Sequence, residues 1–245
     1  MTTITASQVQ ELRQKTGSGM MDCKKALAEA NGNLEKAVEI LRIKGQAKAA
    51  SRSERVAKEG LVVTKVAADK KSAAIVQLNC ETDFVARNEE FQAFANSLAL
   101  FALKNKIDST ETLLSTSVDE IKGADVSEGI KALVGKIGEN IELGNVRYLS
   151  ADNGFIQPYI HPGAKIGVLV ALAPASLDKE GELGKDLSMH IAASAPDFVS
   201  PADVSNEYKE KELNIVRQQL KEEGKPDDMI EKIASGKINK QLSQM

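Results

Sequence analysis

At Gly60 the spacing of apolar residues changes from helical to alternating, and that switch limits what these 245 residues can build more than any other feature. After it, LVVTKVA (from Leu61) and SAAIVQLNC (ending at Cys80) alternate, with Ala68-Asp69-Lys70-Lys71 between them, which predicts a β-hairpin. Helical spacing then returns twice, in Phe91, Phe94, Ala95, Leu98 and Phe101, and in Ile130, Leu133, Val134 and Ile137. Strand character follows in IELGNVRYLS and GFIQPYI, with Asp152-Asn153-Gly154 as the turn between them, and in KIGVLVALA after His161-Pro162-Gly163. A further helix is expected from Leu183 to Ser194. A strand segment leading into a helix thus occurs in two separate stretches. That repetition predicts an α+β core of two related subdomains, each an antiparallel sheet with helices on one face.

The flanks are helical. Thr5 and Gln8 have the pattern of a capping box, and Val9 and Leu12 share one helix face. Gly17 and Gly19 interrupt that helix. Met20, Cys23, Ala26, Leu27 and Ala30 line a second one, stopped by Asn31-Gly32. Asn33 caps a third, which carries Leu34, Ala37, Val38 and Leu41 inward and is expected to end at Gly45. Three short helices on tight links predict a ubiquitin-associated-like bundle, a type of module that binds partners. Gln46 to Gly60 holds Lys48, Arg52, Arg55 and Lys58 among small residues and reads as a linker. After Pro201 the chain is highly charged, with Val204, Tyr208, Leu213, Val216 and Leu220 spaced for a narrow seam. Gly224-Lys225-Pro226 turns it, and Met229, Ile230 and Ile233 continue a second arm of a coiled-coil-like helical hairpin. The expected organisation is a module at 1–45, a linker at 46–59, core subdomains at 60–140 and 141–202, and the hairpin with its tail at 203–245.

Composition excludes several functions. A net charge of −3, 4% aromatic residues and no Trp leave neither the basic groove nor the stacking platforms of a single-strand nucleic-acid binder. The basic stretch at 46–60 is better read as a solvated linker than as a nucleic-acid contact. Two His and two Cys, none at ligand spacing, argue against structural zinc, and two cysteines in a chain of this length make no disulfide framework, which points to a reducing cytoplasm. The longest apolar stretch, Ile166 to Ala175, contains Pro174 and is far short of the roughly 20 residues of a spanning helix. No phosphate loop, dinucleotide fingerprint, nucleophile elbow or HExxH is present, and the carboxylates are scattered, so chemistry of the chain's own and a bound cofactor are both unexpected. His190, between apolar neighbours in LSMHIAAS, reads as an ordinary helix histidine.

One segment resists a bland reading. Cys80-Glu81-Thr82-Asp83-Phe84-Val85-Ala86-Arg87-Asn88 follows a buried strand directly. Thr82 and Asp83 fit a helix cap with Phe84 packed inward, and they fit equally a protruding apolar wedge with a carboxylate beside it. Five blocks in order, LRQKTGSGMMDCKKAL, NCETDFVARNEEF, KIGENIEL, HPGAKIGVLVAL and MHIAASAPDFVSPADV, resemble the elongation factor Ts family, the nucleotide exchange factors of the translational GTPase elongation factor Tu. The resemblance implies a three-helix N-terminal module, two related core subdomains and an inserted coiled-coil hairpin. It also implies that elongation factor Tu is the partner, with no direct nucleic acid and no membrane. By the resemblance Thr82, Asp83, Phe84 and Val85 form the element that intrudes near the GTPase's magnesium site and dislodges the ion. Arg13, Met20 and Met21 form a pocket for a GTPase side chain, and His161 faces another domain of the GTPase. The family usually continues past the hairpin with a further helix and strand, whereas here the chain ends at Met245. The hairpin seam suits either docking or homodimerisation. The competing expectation is a ubiquitin-associated-type adaptor or chaperone-like scaffold whose main site is the three-helix module.

Overall fold

The computed structural model of the chain describes residues 4–117, 125–177 and 181–242. It is an α+β protein with small antiparallel sheets, and it divides between Ala192 and Ala193 into two compact units.

The first unit begins with helices α1 (Ala6–Thr16), α2 (Met20–Glu29) and α3 (Leu34–Arg52). Thr5 and Gln8 close the expected capping box, and Gly17 ends α1 in the left-handed conformation that suits glycine. Asn31 and Gly32 both take positive φ before Asn33 caps α3 through the Lys36 amide. Val9, Leu12, Cys23, Ala26, Leu27, Ala30, Ala37 and Leu41 form the bundle core. Three expectations are corrected here. Met20 opens α2 one turn before the buried seam starts at Cys23, and it stays half exposed rather than facing inward. Val38 is also exposed, and Ile40 packs in its place. Gly45 does not end α3. The residues after it, QAKAA, are good helix formers, and one interior glycine costs only about 1 kcal/mol, so the helix runs on to Arg52. Ala49 belongs to the main core, and residues 46–52 are therefore helix packed on that core.

Strands β1 (Glu59–Val66) and β2 (Ser72–Cys80) pair antiparallel from Glu59↔Cys80 to Val66↔Ala73, as the alternation predicts. The short helix α4 (Asp83–Ala86) follows β2, and α5 (Glu89–Asn105) lies across the sheet, with Phe91, Ala95, Leu98, Ala99 and Ala102 in the core beside Leu61, Val76, Leu78 and Cys80. Helix α6 (Thr110–Ser115) and helix α7 (Val126–Ile137) come next, and α7 packs along α3.

Strand β3 (Ile141–Ser150) pairs with β2, so the larger sheet has the order β1-β2-β3. The sequence placed β3 beside the following strand. Instead Ile141 and Val146 are buried in the same core as Val76 and Leu78, which holds β3 on the first sheet. Among the described residues, strands β4 (Phe155–Ile160) and β5 (Gly167–Leu172) pair only with each other. They cover the face of the larger sheet opposite α5. A Cβ on Gly167 would lie 2.6 Å from a Val62 methyl carbon and 3.0 Å from an Ile75 one. Helix α8 (Glu182–Ser194) then runs across the boundary between the two units.

The second unit is a helical hairpin of α9 (Asn206–Glu222) and α10 (Asp227–Leu242). Val216, Leu220, Ile230, Ala234 and Ile238 form its seam, and Gly224 takes positive φ at the turn. The Arg217 guanidinium donates from Nε to Glu231 Oε2 at 2.8 Å and from Nη2 to Oε1 at 2.6 Å, holding the exposed Glu231 carboxyl below the usual carboxylate range. Met229 is outside the seam and exposed, and Tyr208 lies edge-on to Phe198 at 5.4 Å rather than in the seam.

Candidate functional site

The tip of the Thr82–Val85 segment is built from the end of β2 outward. Cys80 is the last strand residue and is fully buried, and its Sγ donates to the Thr82 carbonyl at 3.1 Å. Burial, and next the nearby Glu139 carboxylate, push this thiol up to about 11. Thr82 then caps α4, its Oγ1 accepting from the Val85 amide at 3.4 Å. Val85 and Ala86 turn back onto the core. Asp83 pairs with Arg87 at 3.0 Å, one turn along, at the surface. Phe84 stands out into solvent with 80% of its surface exposed. Both readings of this segment therefore hold in part: Thr82 is a cap, and Phe84 is not a core residue.

Two residues without an assigned role hold this tip in place. Helix α7 ends at Gly138, in the left-handed conformation, and the next two residues point at the tip. Glu139 accepts from the Thr82 amide at 3.0 Å and from Thr82 Oγ1 at 2.6 Å. The Asn140 amide donates to Glu81 Oε1 at 2.6 Å, and Asn140 Nδ2 donates to the Arg55 carbonyl at 2.7 Å. Both residues fall within the KIGENIEL block, but nothing in its spacing shows that they brace the tip.

The other expected site residues lie on different elements. Arg13 is exposed near the end of α1, and Met20 and Met21 project from the start of α2 with 52% and 63% of their surfaces exposed. Next to them, Lys48 of α3 hydrogen-bonds Asp22 at 2.9 Å and holds its carboxyl below the usual range. His161 is exposed on the β4–β5 loop, with its Nδ1 2.9 Å from the Tyr159 hydroxyl. That loop is tied to the first sheet by the Val62 amide donating to the Ala164 carbonyl at 2.7 Å and by the Lys165–Glu59 ion pair.

No hydrogen bond or ion pair among the described residues joins these three groups directly. The first two are joined through the C-terminal turn of α7. Gly135 faces Gly45 of α3. The Lys136 side chain lies over Gly17 of the α1–α2 link and pairs with Glu90 of α5, and Glu139 reaches the tip. The arrangement offers an exposed aromatic and a carboxylate on a braced tip, and separately two exposed methionines at the start of α2. Among the described residues no group of three or more His, Cys, Asp or Glu is placed to hold a metal ion, and no helix is long and apolar enough to cross a membrane.

Known proteins resemble the chain closely. The family described as "Elongation factor TS" matches residues 81–245. Elongation factor Ts of Chloroherpeton thalassium is 46% identical over 241 residues, covering 98% of this chain and 83% of the relative. That of Chlorobaculum tepidum is 46% identical over 246 residues, covering 100% and 85%. The Clostridium perfringens protein of the same name is 47% identical over 243 residues, covering 99% and 80%.

Proposed function

The chain belongs to the elongation factor Ts family, and from that premise we propose that it binds elongation factor Tu carrying GDP and promotes exchange of GDP for GTP. It does so in the cytoplasm, as a binding protein without chemistry of its own. A partner that prefers the nucleotide-free GTPase must by linkage weaken GDP by the same factor. Each 1.4 kcal/mol of that preference is about tenfold in nucleotide affinity.

The exposure of Phe84 on a tip held from below carries this proposal. In the complex Phe84 and Val85 act as the apolar wedge, and Asp83, presented by Thr82, perturbs the shell of the GTPase's magnesium until the ion leaves. Arg13, Met20 and Met21 supply binding energy at a second point, where the two methionines form a greasy pocket with a charged rim. His161 meets a further domain of the GTPase. Residues 1–45 then serve as the partner-binding module, 46–59 as its connection, and 203–245 as an accessory hairpin that also suits homodimerisation; the expected division of the core at 140/141 is given up, because β3 completes the first sheet. Neither nucleic acid nor membrane is contacted.

Release of a fluorescent GDP analogue from elongation factor Tu, followed against concentration of this protein, tests the proposal. Acceleration that saturates is the expected result. Binding with an unchanged release rate overturns exchange and favours the adaptor alternative.

A further inference from the structure

We propose that Glu139 is a positioning residue for exchange, acting through Thr82 to hold the Thr82–Val85 tip in the conformation that presents Phe84. The inference rests on the exchange function proposed above and extends it to a residue outside the tip.

The tip has little means of holding itself. Helix α4 is four residues long, below the length at which an isolated helix is stable, and Phe84 gains nothing from burial in the unbound protein. What caps its first turn is Thr82, and Thr82 is held at its amide and hydroxyl by Glu139 and at its carbonyl by the Cys80 thiol. A threonine hydroxyl has one hydrogen to give and lone pairs to receive with. Its hydrogen goes to Glu139 Oε1 at 2.6 Å, so the lone pair is left toward the Val85 amide at 3.4 Å. The Thr82 amide goes to the other carboxylate oxygen at 3.0 Å. Only an ionised carboxylate accepts twice in this way without offering a competing donor. Glutamine would accept once, and its amide hydrogens would contend with Val85 for the threonine oxygen.

The clamp is itself anchored. Gly138 stops α7 immediately before Glu139, and the neighbouring Asn140 is 4% exposed, its amide bonded to Glu81 on the β2 side of the same loop pair. Two contacts in opposite directions, Glu139 to Thr82 and Glu81 to Asn140, lock the α7–β3 loop to the β2–α4 loop. A tip ordered before encounter does not have to be ordered during it, so more of the contact energy of Phe84 reaches the GTPase.

The test is a double-mutant cycle on stimulated GDP release, with thermal melting of each variant as control. Glu139→Gln is expected to slow release about tenfold, the effect of losing one hydrogen bond to a charged group. In a Phe84→Ala background the same change is expected to cost less than about twofold, because Glu139 acts only through the tip. Amide hydrogen exchange at Thr82 and Val85, whose N–H groups make the bonds of the clamp, should quicken in Glu139→Gln while β2 stays protected. A merely structural role would give multiplicative losses and a general fall in protection. Thr82→Val, which keeps the side-chain shape and loses the hydroxyl, provides a second arm should Glu139→Gln fold poorly, and it should slow release to a similar extent. Wild-type release by both Glu139→Gln and Thr82→Val overturns the clamp and leaves exchange standing. No stimulation by the unmodified protein overturns both.

Discussion

Gly45 of α3 and Gly135 of α7 face each other in a contact that is close but not symmetric. A Cβ on Gly135 would lie 2.7 Å from the Gly45 Cα, whereas a Cβ on Gly45 would keep 3.7 Å from the Gly135 Cα. The pair lets two helix backbones approach, and it lets α3 carry the N-terminal bundle directly onto the same C-terminal turn of α7 that leads into the brace of the tip. Arg42 on α3 adds an ion pair to Glu128 on α7 at 2.8 Å.

The asymmetry gives opposite signs for the same substitution. Gly45→Ala meets ordinary van der Waals distance and gains helix propensity, so it should raise stability by up to about 1 kcal/mol. Gly135→Ala meets backbone that cannot swing aside, and overpacking of this kind costs about 1–3 kcal/mol, enough to outweigh its own propensity gain. Thermal melts of the two variants check this, and equal shifts would count against the close crossing.

Phe84→Ala and Asp83→Asn separate function from folding. At 80% exposure Phe84 has little to lose on truncation, so stability should stay within about 0.5 kcal/mol of wild type, not the 3–5 kcal/mol of a core phenylalanine. Stimulated GDP release should nonetheless slow. Asp83→Asn loses only a surface ion pair with Arg87, worth about 1 kcal/mol or less. Its exchange should be slowest with magnesium present and converge on wild type when the metal is chelated. Wild-type release by both variants at saturating magnesium would remove the tip from the mechanism.

Met20→Ala and Met21→Ala should leave the melting temperature nearly unchanged, because both side chains are exposed. Each should weaken association with elongation factor Tu by about 1–3 kcal/mol if it anchors a pocket. Calorimetric titration measures this directly, and full affinity in both would move the contact elsewhere on the module.

What was legible in the sequence is what local chemistry decides. The capping box at Thr5 and Gln8, the Asn33 cap and the β1–β2 hairpin each depend on residues a few positions apart. Partner choice for β3 depends on a strand some sixty residues earlier, and no local turn reveals it; the Asp152-Asn153-Gly154 turn is consistent with either pairing. Gly45 looked like a helix stop because a glycine's helix cost is visible in a sequence and its packing partner on another helix is not. Met20 and Met229 fall on apolar spacings yet sit at helix starts, ahead of the seams that bury their neighbours. The Cys80–Asn88 segment stands out in the sequence, whereas the brace that holds it does not, since Glu139 lies 57 positions from Thr82.

Cys80 supplies a stability test of the same corner of the molecule. Its thiol is fully buried, and burial together with the Glu139 charge pushes it from the ordinary 9.0 up to about 11. The folded state therefore holds this proton over a range in which the unfolded chain has released it. Stability rises with pH only where the unfolded state binds more protons, so here it must fall as pH increases. The contribution is fully present below about pH 9 and is lost progressively as pH rises through about 11. A tenfold gain in proton affinity is worth about 1.4 kcal/mol, so holding the thiol proton from about pH 9 to about pH 11 amounts to about 2–3 kcal/mol in total. Lysines and tyrosines also titrate in this range, so the informative quantity is a difference between two proteins. Urea midpoints for wild type and Cys80→Ala, measured from about pH 8 to about pH 10.5, should converge as the wild type alone pays to keep its thiol protonated. Parallel pH profiles for the two proteins would show that the thiol ionises as readily in the fold as outside it, and the proposed setting of Cys80 beneath Thr82 and Glu139 would then be wrong.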